Sequence, residues 1–521
     1  MRIPAARRRP PARQKTFPAP TGGWNTRDAL EAMNATDTRF PIDAVKLDNW
    51  IAAPGGITLR EGYTVHNRTA PSSVSSLMEY APPSGSNKLF ASAGSSIYDV
   101  STSAILAAVQ SGLSDAYFQH TMIGTVAGSF LFIVNGADAP RYYDGSSWTT
   151  PTITGSGLTA SDLVHVVNHK NRLWFIEKNT MNLWYLGSSS ISGSITKFNV
   201  GPLFKKGGKL LAMGTQSRDG GAGPDDYFVA VSDRGECIIY AGTDPSSAST
   251  WALVGVYNIP VPLGRRCIYQ AGSDLAILTN VGVVPLSKVI TLATTGQQST
   301  AITDKISPSF SQAANGNESS LFWQIVEDPR RNLFMVNAPT GGSTETQQFV
   351  MHSLTGGWSR FTNLNAACFE RFNDDIYFGG TDGLIYKIGG GYTDQASAGA
   401  VSVTARVQLA YSDLGTPGLK RALMACAAMQ APISFTPQIS VLTDYDTTDV
   451  PLSLATFVDE GEEWDVAEWD VADWGYSIGA NSRWHSVSGV GNVLSPAFAV
   501  QSDVKLILNA IDVTIEAGAP F

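Results

Sequence analysis

The chain has 521 residues, enough for two to four ordinary domains or one large repeat architecture with additions. With 50 glycines, 43% hydrophobic and only 16% charged residues, it reads as all-β with many turns, and it holds no long amphipathic helix. The net charge of −9 argues against a general nucleic-acid-binding surface, and no run approaches the 18 apolar residues of a membrane span.

The first 20 residues form a basic, proline-rich arm. Arg2, Arg7, Arg8, Arg9, Arg13 and Lys15 precede the first acid, Asp28, and without them the remaining chain carries about −15. No apolar stretch follows the arginines, so the arm does not read as a secretory signal. It is either a solvated tail or, through Arg7, Arg8, Arg9 and Arg13, an arm that docks on an acidic partner or on phosphates. Residues 21–80 are assigned to the N-terminal part of a platform domain.

A coarse unit then recurs: an apolar strand, a turn, and a second aromatic-rich strand. The first strands begin at Leu89, Phe130, Leu173, Tyr227, Leu275, Leu333 and Ile376. The turn residues are Gly94, Gly136, Asn179, Gly235, Gly282, Gly341 and Gly383, at steps of 42, 43, 56, 47, 59 and 42 residues. Four of these steps fall in or near the range of four-stranded propeller blades. The two long ones predict insertions near 187–224 and 288–325. Short turns before Trp148 and Trp358 match the place where related blades carry a hairpin aromatic. The expectation is therefore mainly β: a propeller of six to eight blades over 81–395, with two stacked β-sandwiches as the rival.

A propeller brings its chain ends out side by side, so 401–521 is expected to pair with the N-terminal segment in one β-rich platform domain. Both ends of this tail alternate, Val401-Ser-Val-Thr-Ala-Arg-Val-Gln-Leu409 and Val504-Lys-Leu-Ile-Leu-Asn-Ala-Ile-Asp-Val-Thr-Ile-Glu516, as half-buried strands do. Between them lies Trp464-Asp-Val-Ala-Glu-Trp469-Asp-Val-Ala-Asp-Trp474, inside a run of eight acids and no base over 459–473, followed by Trp484. Three Trp at five-residue steps fit neither a helix face nor a strand face. These rings pack either under their own loop or at a subunit contact, where Trp is enriched.

Few motifs carry chemistry. The chain contains no GxxxxGK[ST], HExxH or GxSxG. His165 and His169 stand in β-rich context, where four residues span about 13 Å, too far for one metal ion. Gly220-Gly-Ala-Gly-Pro-Asp225 matches one copy of a calcium-binding nonapeptide that functions only in tandem. Asp225/Asp226 and Asp374/Asp375 read as turn carboxylates. Cys237, Cys267, Cys368 and Cys426 are scattered and read as buried free thiols. No catalytic residue, metal or cofactor is expected.

Several motifs occur in an order that resembles one family. Gly22-Gly-Trp-Asn-Thr-Arg-Asp28, Leu47-Asp-Asn-Trp50 and Gly55-Gly-Ile-Thr-Leu-Arg-Glu-Gly-Tyr63 open the chain. Asn171-Arg-Leu-Trp-Phe175, Trp184-Tyr-Leu186, Gly235-Glu-Cys-Ile-Ile-Tyr-Ala-Gly-Thr-Asp-Pro245 and Pro262-Leu-Gly-Arg-Arg-Cys267 follow. Gly415-Thr-Pro-Gly-Leu-Lys-Arg421, the Trp-Asp repeat, Gly489-Val-Gly491 and Glu516-Ala-Gly518 close it. The series resembles the tail nozzle proteins of short-tailed bacteriophages, also called tail tubular protein B. It departs in ending on Glu-Ala-Gly-Ala rather than Glu-x-Gly-Gly, and the arm 1–15 lies outside it.

The resemblance implies a virion tail protein, made in the bacterial cytoplasm. It implies a homohexameric ring at the distal end of the tail, bound to the adaptor ring and to tail fibres or spikes. Viral DNA would pass through the channel without sequence specificity. An acidic body suits a conduit, because a basic lumen would grip phosphates. A closing ring needs two complementary faces per subunit. The acidic Trp segment (Trp464, Trp469, Trp474, Trp484) meeting Arg265, Arg266, Arg330, Arg331, Lys420 and Arg421 is the expected pair. The alternatives are a glycan-binding or glycan-cleaving propeller of a receptor-binding tail protein, and a connector elsewhere in the tail.

Overall fold

A computed structural model describes residues 12–31, 42–219, 224–291, 301–341, 345–396, 399–415, 418–432, 437–455, 479–481 and 483–517. The chain divides into two compact units, one of residues 65–349 and 363–388, the other of 1–64, 350–362 and 389–521.

The first unit is a β-propeller. Among the described residues, seven antiparallel strand runs follow one another in chain order, beginning with Val74–Tyr80, Gln119–Thr125, Leu163–His169, Leu210–Asp219, Ile268–Ala271, Gln324–Asp328 and Ala366–Phe372. From the second blade onward these first strands lie next to each other in that order, the first blade's first strand meets Gly128–Val134 of the second blade, and the last first strand touches the first, which closes the ring. Each second strand is the apolar run read from the sequence, such as Gly128–Val134 or Arg172–Glu177.

The seven turn residues all sit where the second strand turns into the third, and all seven have positive φ, from 53° at Gly341 to 138° at Gly282. That conformation costs an ordinary L-residue about 1–2 kcal/mol and glycine nothing, which is why six of the seven are glycine and the seventh asparagine. The blade count is therefore seven.

Interblade cores hold the ring. Phe132, Phe175 and Trp184 join the second blade to the third, and Trp174, Phe228 and Trp251 join the third to the fourth. Val74, Leu77, Leu89, Cys368, Phe372 and Tyr377 join the first to the last.

Two boundaries differ from the sequence reading. Residues 65–80 belong to the propeller: Tyr63–Asn67 is the outer strand of the last sheet, and Val74–Tyr80 is the inner strand of the first. The stretch 187–224 is not an insertion. It contains the fourth strand of the third blade, Thr196–Asn199, and the first of the fourth, Leu210–Asp219. The stretch 288–325 does carry added structure, with helices Leu286–Thr291 and Ser307–Ala314. No helix among the described residues is long and apolar enough to cross a membrane.

The second unit pairs the two ends of the chain. Arg13–Pro18 runs antiparallel to Ile507–Ala517, which in turn pairs with Lys420–Ala431. A second sheet joins Gly23–Trp24, Asp43–Asp48, Gly399–Leu409 and Leu494–Ser502. Trp50 from the first sheet meets Phe498 of the second edge to face, 6.0 Å between centroids. Gly399–Leu409 and Ile507–Ala517 alternate in burial as their sequence pattern required.

Candidate functional site

The motifs that open the chain converge on one buried polar joint in the second unit. Arg60 is 1% exposed and donates all five of its N–H groups. Nη1 and Nη2 reach Asp394 at 2.8 and 2.6 Å, Nε reaches Asn49 Oδ1 at 2.8 Å, and the carbonyls of Glu61 and Thr362 take the rest. Asn49, with φ 61°, donates to Thr362 Oγ1 and to the Thr404 carbonyl, and accepts from the Thr362 amide.

Beside this joint, Arg360 holds Asp48 through two bonds of 2.8 Å and lies over the Trp24 ring at 5.4 Å. Asn25 donates to both Asp43 and Asp28. Gly23 has φ 83°, and a Cβ there would collide with the backbone N and O of Trp358. The opening motifs thus tie the N-terminal segment to 350–362 and to 389–409. A buried ion pair with every donor used is a structural joint.

The second place where polar groups gather is the propeller axis. The turn Gly264-Arg265-Arg266 leads into the fifth blade, yet its side chains bond to the first and second. Arg266 Nη2 donates to the Ser75 carbonyl at 3.0 Å, Ser76 Oγ at 2.6 Å and the Phe118 carbonyl at 3.3 Å. Arg265 Nη1 donates to the Asn135 carbonyl at 3.2 Å. Both guanidinium groups pack on Tyr117, at 4.7 Å for Arg265 and 4.1 Å for Arg266. In a seven-bladed ring, the fifth blade neighbours neither the first nor the second, so this arginine pair crosses the axis.

A cavity of about 380 Å³ opens beside it, lined by residues of the first strands: Gln119, His120, His165, Tyr269, Glu327 and Glu370 among them. His120 Nε2 lies 3.3 Å from Glu370 Oε2. Burial, with a smaller contribution from Arg265, pushes His165 down to about 3, so it is neutral at physiological pH. Burial first, then the nearby Glu370 charge, raises the Glu79 carboxyl above its usual range. Burial lifts Tyr269 to about 12.

The residues expected at a subunit interface are scattered. Trp464, Trp469 and Trp474 lie outside the described residues, as do Arg7, Arg8 and Arg9. Arg13 is exposed at the start of its strand, opposite Ile515. Arg265 and Arg266 occupy the axis just described, with donors bonded across it to the first and second blades.

Arg330 pairs with Asp375 and Arg331 with Asp328 at 2.8 Å, both within the propeller. Lys420 is 1% exposed and its Nζ donates to the carbonyls of Gly418 and Asn492, so it too is turned inward. Arg421 is exposed, opposite Val490, while Met424 on the same strand is 41%, Trp484 40% and Val490 58% exposed.

His165 and His169 have separate surroundings. His169 sits between the rings of Phe228 and Trp251 and contacts Thr215 Oγ1 at 3.1 Å. No cluster of potential metal ligands occurs among the described residues. Asp226 lies within a strand and pairs with Lys170, not in a turn. All four cysteines are free and buried, and burial raises their thiols, to about 12 at Cys267 and about 11 at Cys368. Tyr117, Gln119, His120 and Glu370 were not marked by the sequence reading. The adjacent arginines of Leu-Gly-Arg-Arg-Cys were the available signal, since such a doublet is unusual in a chain so low in charge.

No protein-family model matches the sequence, and no curated protein matches it. Among solved structures, the chain is similar to the computationally designed Ika8 protein, with 12% identity and TM-score 0.37 over 63% of this chain and 99% of that one. It is similar to YCF48 bound to D1 peptide, with 12% identity and TM-score 0.32 over 74% and 99%. It is also similar to exo-beta-1,3-galactanase from Phanerochaete chrysosporium with galactose, with 12% identity and TM-score 0.25 over 76% and 95%. At these scores the likenesses carry no functional argument. The propeller assignment stands on this chain's own sheet order.

Proposed function

We propose that this chain is a structural subunit of a short phage tail, the nozzle, which assembles as a homohexameric ring and conducts DNA during ejection. The observation that carries the reading is the ordered series of motifs from Gly22 to Gly518. Its support in the fold is that Gly23, Asn25, Asn49 and Arg60 of that series build one buried joint rather than a reaction centre.

The crossed propeller axis bears on where the duplex travels. B-DNA needs a passage wider than its own major groove, itself about 12 Å, and Arg265 and Arg266 stand in the way inside each propeller. The conduit of this reading therefore lies around the six-fold axis, between subunits. The negative charge of the body keeps such a lumen from binding phosphates. In this reading the chain has no catalytic residue. The basic arm faces the adaptor ring, and fibres or spikes dock at the side.

Negative-stain images and a native mass of the purified chain test it. Six-fold rings with a mass of six chains are expected. Trimers or monomers would sink the reading and favour a glycan-binding or glycan-cleaving propeller.

A further inference from the structure

We propose that the outer edges of the first and fourth blades are the two halves of a head-to-tail contact between copies of this chain. The rim of the first blade on one copy packs against the rim of the fourth on the next. This names the surfaces, and it rests on the ring reading only for the number of copies.

The outer strands of the seven blades are not built alike. A sheet edge is ordinarily guarded by a charge, a proline, a very short strand or a covering segment. In the second blade the outer strand is two residues, Trp148–Thr149, with Pro151 close behind. The third carries exposed Lys197 within Thr196–Asn199. The fifth ends in Pro285 and runs into the helix Leu286–Thr291. The sixth and seventh are extended by further strands, Trp358–Phe361 by Gly23–Trp24 and Tyr63–Asn67 by Thr393–Ala396.

The first and fourth blades have none of these guards. The outer strand of the first, Ala108–Ser111, begins inside Ala104-Ile-Leu-Ala-Ala-Val109, six consecutive apolar residues that are all exposed. That of the fourth, Trp251–Asn258, reads Trp-Ala-Leu-Val-Gly-Val-Tyr-Asn, with no charge and no proline. Ile105 is 71% exposed, and Leu106, Val109, Leu253 and Val254 lie between 41% and 44%. The helix Leu286–Thr291 touches the fourth blade's edge and still leaves Leu253 and Val254 in the open.

Each edge has one β-bulge, and the extra residue is a valine both times: Val109 between Ala108 and Gln110, Val254 between Leu253 and Gly255. A bulge stops a ladder from continuing into another sheet and re-aims a side chain. Here the re-aimed side chain is apolar and exposed, so the contact is made by side chains rather than by added backbone hydrogen bonds. The first blade's patch is also held in place. Buried Asn67 donates to the carbonyls of Thr102 at 2.8 Å and Ala104 at 2.9 Å, which fixes the chain just before Ile105. An ordered, uncharged, aliphatic patch is what the core of a protein contact requires.

The occupant follows from there being two such patches on one chain. The first and fourth blades stand three places apart in a ring of seven, on nearly opposite rims. A heterologous contact uses two different faces of one subunit, and its repetition builds a ring when the rotation closes. Neither patch carries a charge that would select a charged partner. Each is matched in chemistry by the other, which every further copy supplies. The five aliphatic side chains cover far less than the roughly 1,200 Å² of a stable pair, so one such contact is weak alone and holds through repetition around a closed assembly.

The test is thiol cross-linking of the full chain. Val109→Cys and Val254→Cys are made separately, one with a tag that changes its size, then mixed and treated with a short bismaleimide. The four native cysteines are buried and stay silent. The mixed 109–254 product is expected to exceed either like-with-like product by about tenfold. The double variant Leu253→Lys, Val254→Lys supplies the usual guard. It should raise the concentration at half-assembly by about tenfold or more and leave the melting midpoint unchanged, because both side chains are exposed in the single chain. Like-with-like products in excess, no cross-linked product, or an unchanged half-assembly concentration in the double variant overturns the proposal. Six-fold rings without the mixed product leave the nozzle reading standing and remove this one; the mixed product in assemblies of another order does the reverse.

Discussion

Arg60 and Asp394 show how much one residue pair can decide. The guanidinium is fully enclosed and fully bonded, so removing its counter-charge leaves a cation with nowhere to go. Asp394→Asn is expected to destabilise the unit that holds it by about 3–5 kcal/mol, seen as early proteolysis of the chain ends with the propeller core still resistant. Equal protease resistance of variant and parent would contradict this account. The buried histidines set an acid limit. Burial lowers His165 to about 3 and His169 to about 4, whereas an unfolded histidine titrates near 6.5. Below about 6.5 the unfolded chain binds protons that the native state refuses, so stability falls as pH falls. Each histidine adds up to about 1.4 kcal/mol per pH unit until its own folded value is reached. Melting midpoints should therefore drop between pH 6.5 and 4, and drop less in His169→Gln.

The blade hairpin is the element that repeats, and its turn position carries a measurable rule. Gly383 has φ 87°, and a Cβ there would meet the Ser72 carbonyl at 2.8 Å. Gly383→Ala is expected to cost at least about 1–2 kcal/mol, because neither the backbone nor the carbonyl can yield easily. At the equivalent turn of the third blade, Asn179 with φ 58° already tolerates the left-handed region, so Asn179→Gly should change stability by less than about 0.5 kcal/mol. Thermal unfolding of the two variants side by side checks the pair. A harmless Gly383→Ala would show that the seven turns are not equivalent. The fifth blade adds a second lesson. Its leading turn reaches across the centre of the ring with two arginines rather than with apolar side chains, so this element is held by hydrogen bonds to the first and second blades.

At the scale of the whole molecule, the chain ends and the propeller meet different demands. A ring subunit needs complementary faces, and the exposed side of Lys420–Ala431 with His485–Gly491 offers Arg421, Met424 and Val490 beside Trp484. In the sequence the acidic Trp segment lies between these two strands. Replacing Trp469 and Trp474 by alanine is expected to shift the sedimenting species from hexamer towards monomer, with far-ultraviolet circular dichroism unchanged. Hexamers that persist in the double variant would remove these rings from the contact. If the acidic segment meets Arg421 across the proposed subunit contact, salt should weaken the association as well.

The propeller was legible because its local rules are short-range. Strand pattern and positive-φ turns depend on residues a few positions apart, and the seven turn residues could be read in order from Gly94 to Gly383. The half-buried alternation of 401–409 was legible for the same reason. The ends of the units were not: whether 65–80 closes the ring or joins the platform depends on which distant strand accepts Tyr63–Asn67. The roles of Arg265 and Arg266 were further out of reach. Their partners Asn135 and Ser75 lie 130 and 191 residues away, and only ring closure brings them to one axis. By itself the sequence determined the repeating sheet, its turns and its charge. Tertiary structure alone decided that two arginines of the fifth blade's leading turn bond to the first and second blades, because a side chain's partners across a ring are set by how the ring closes.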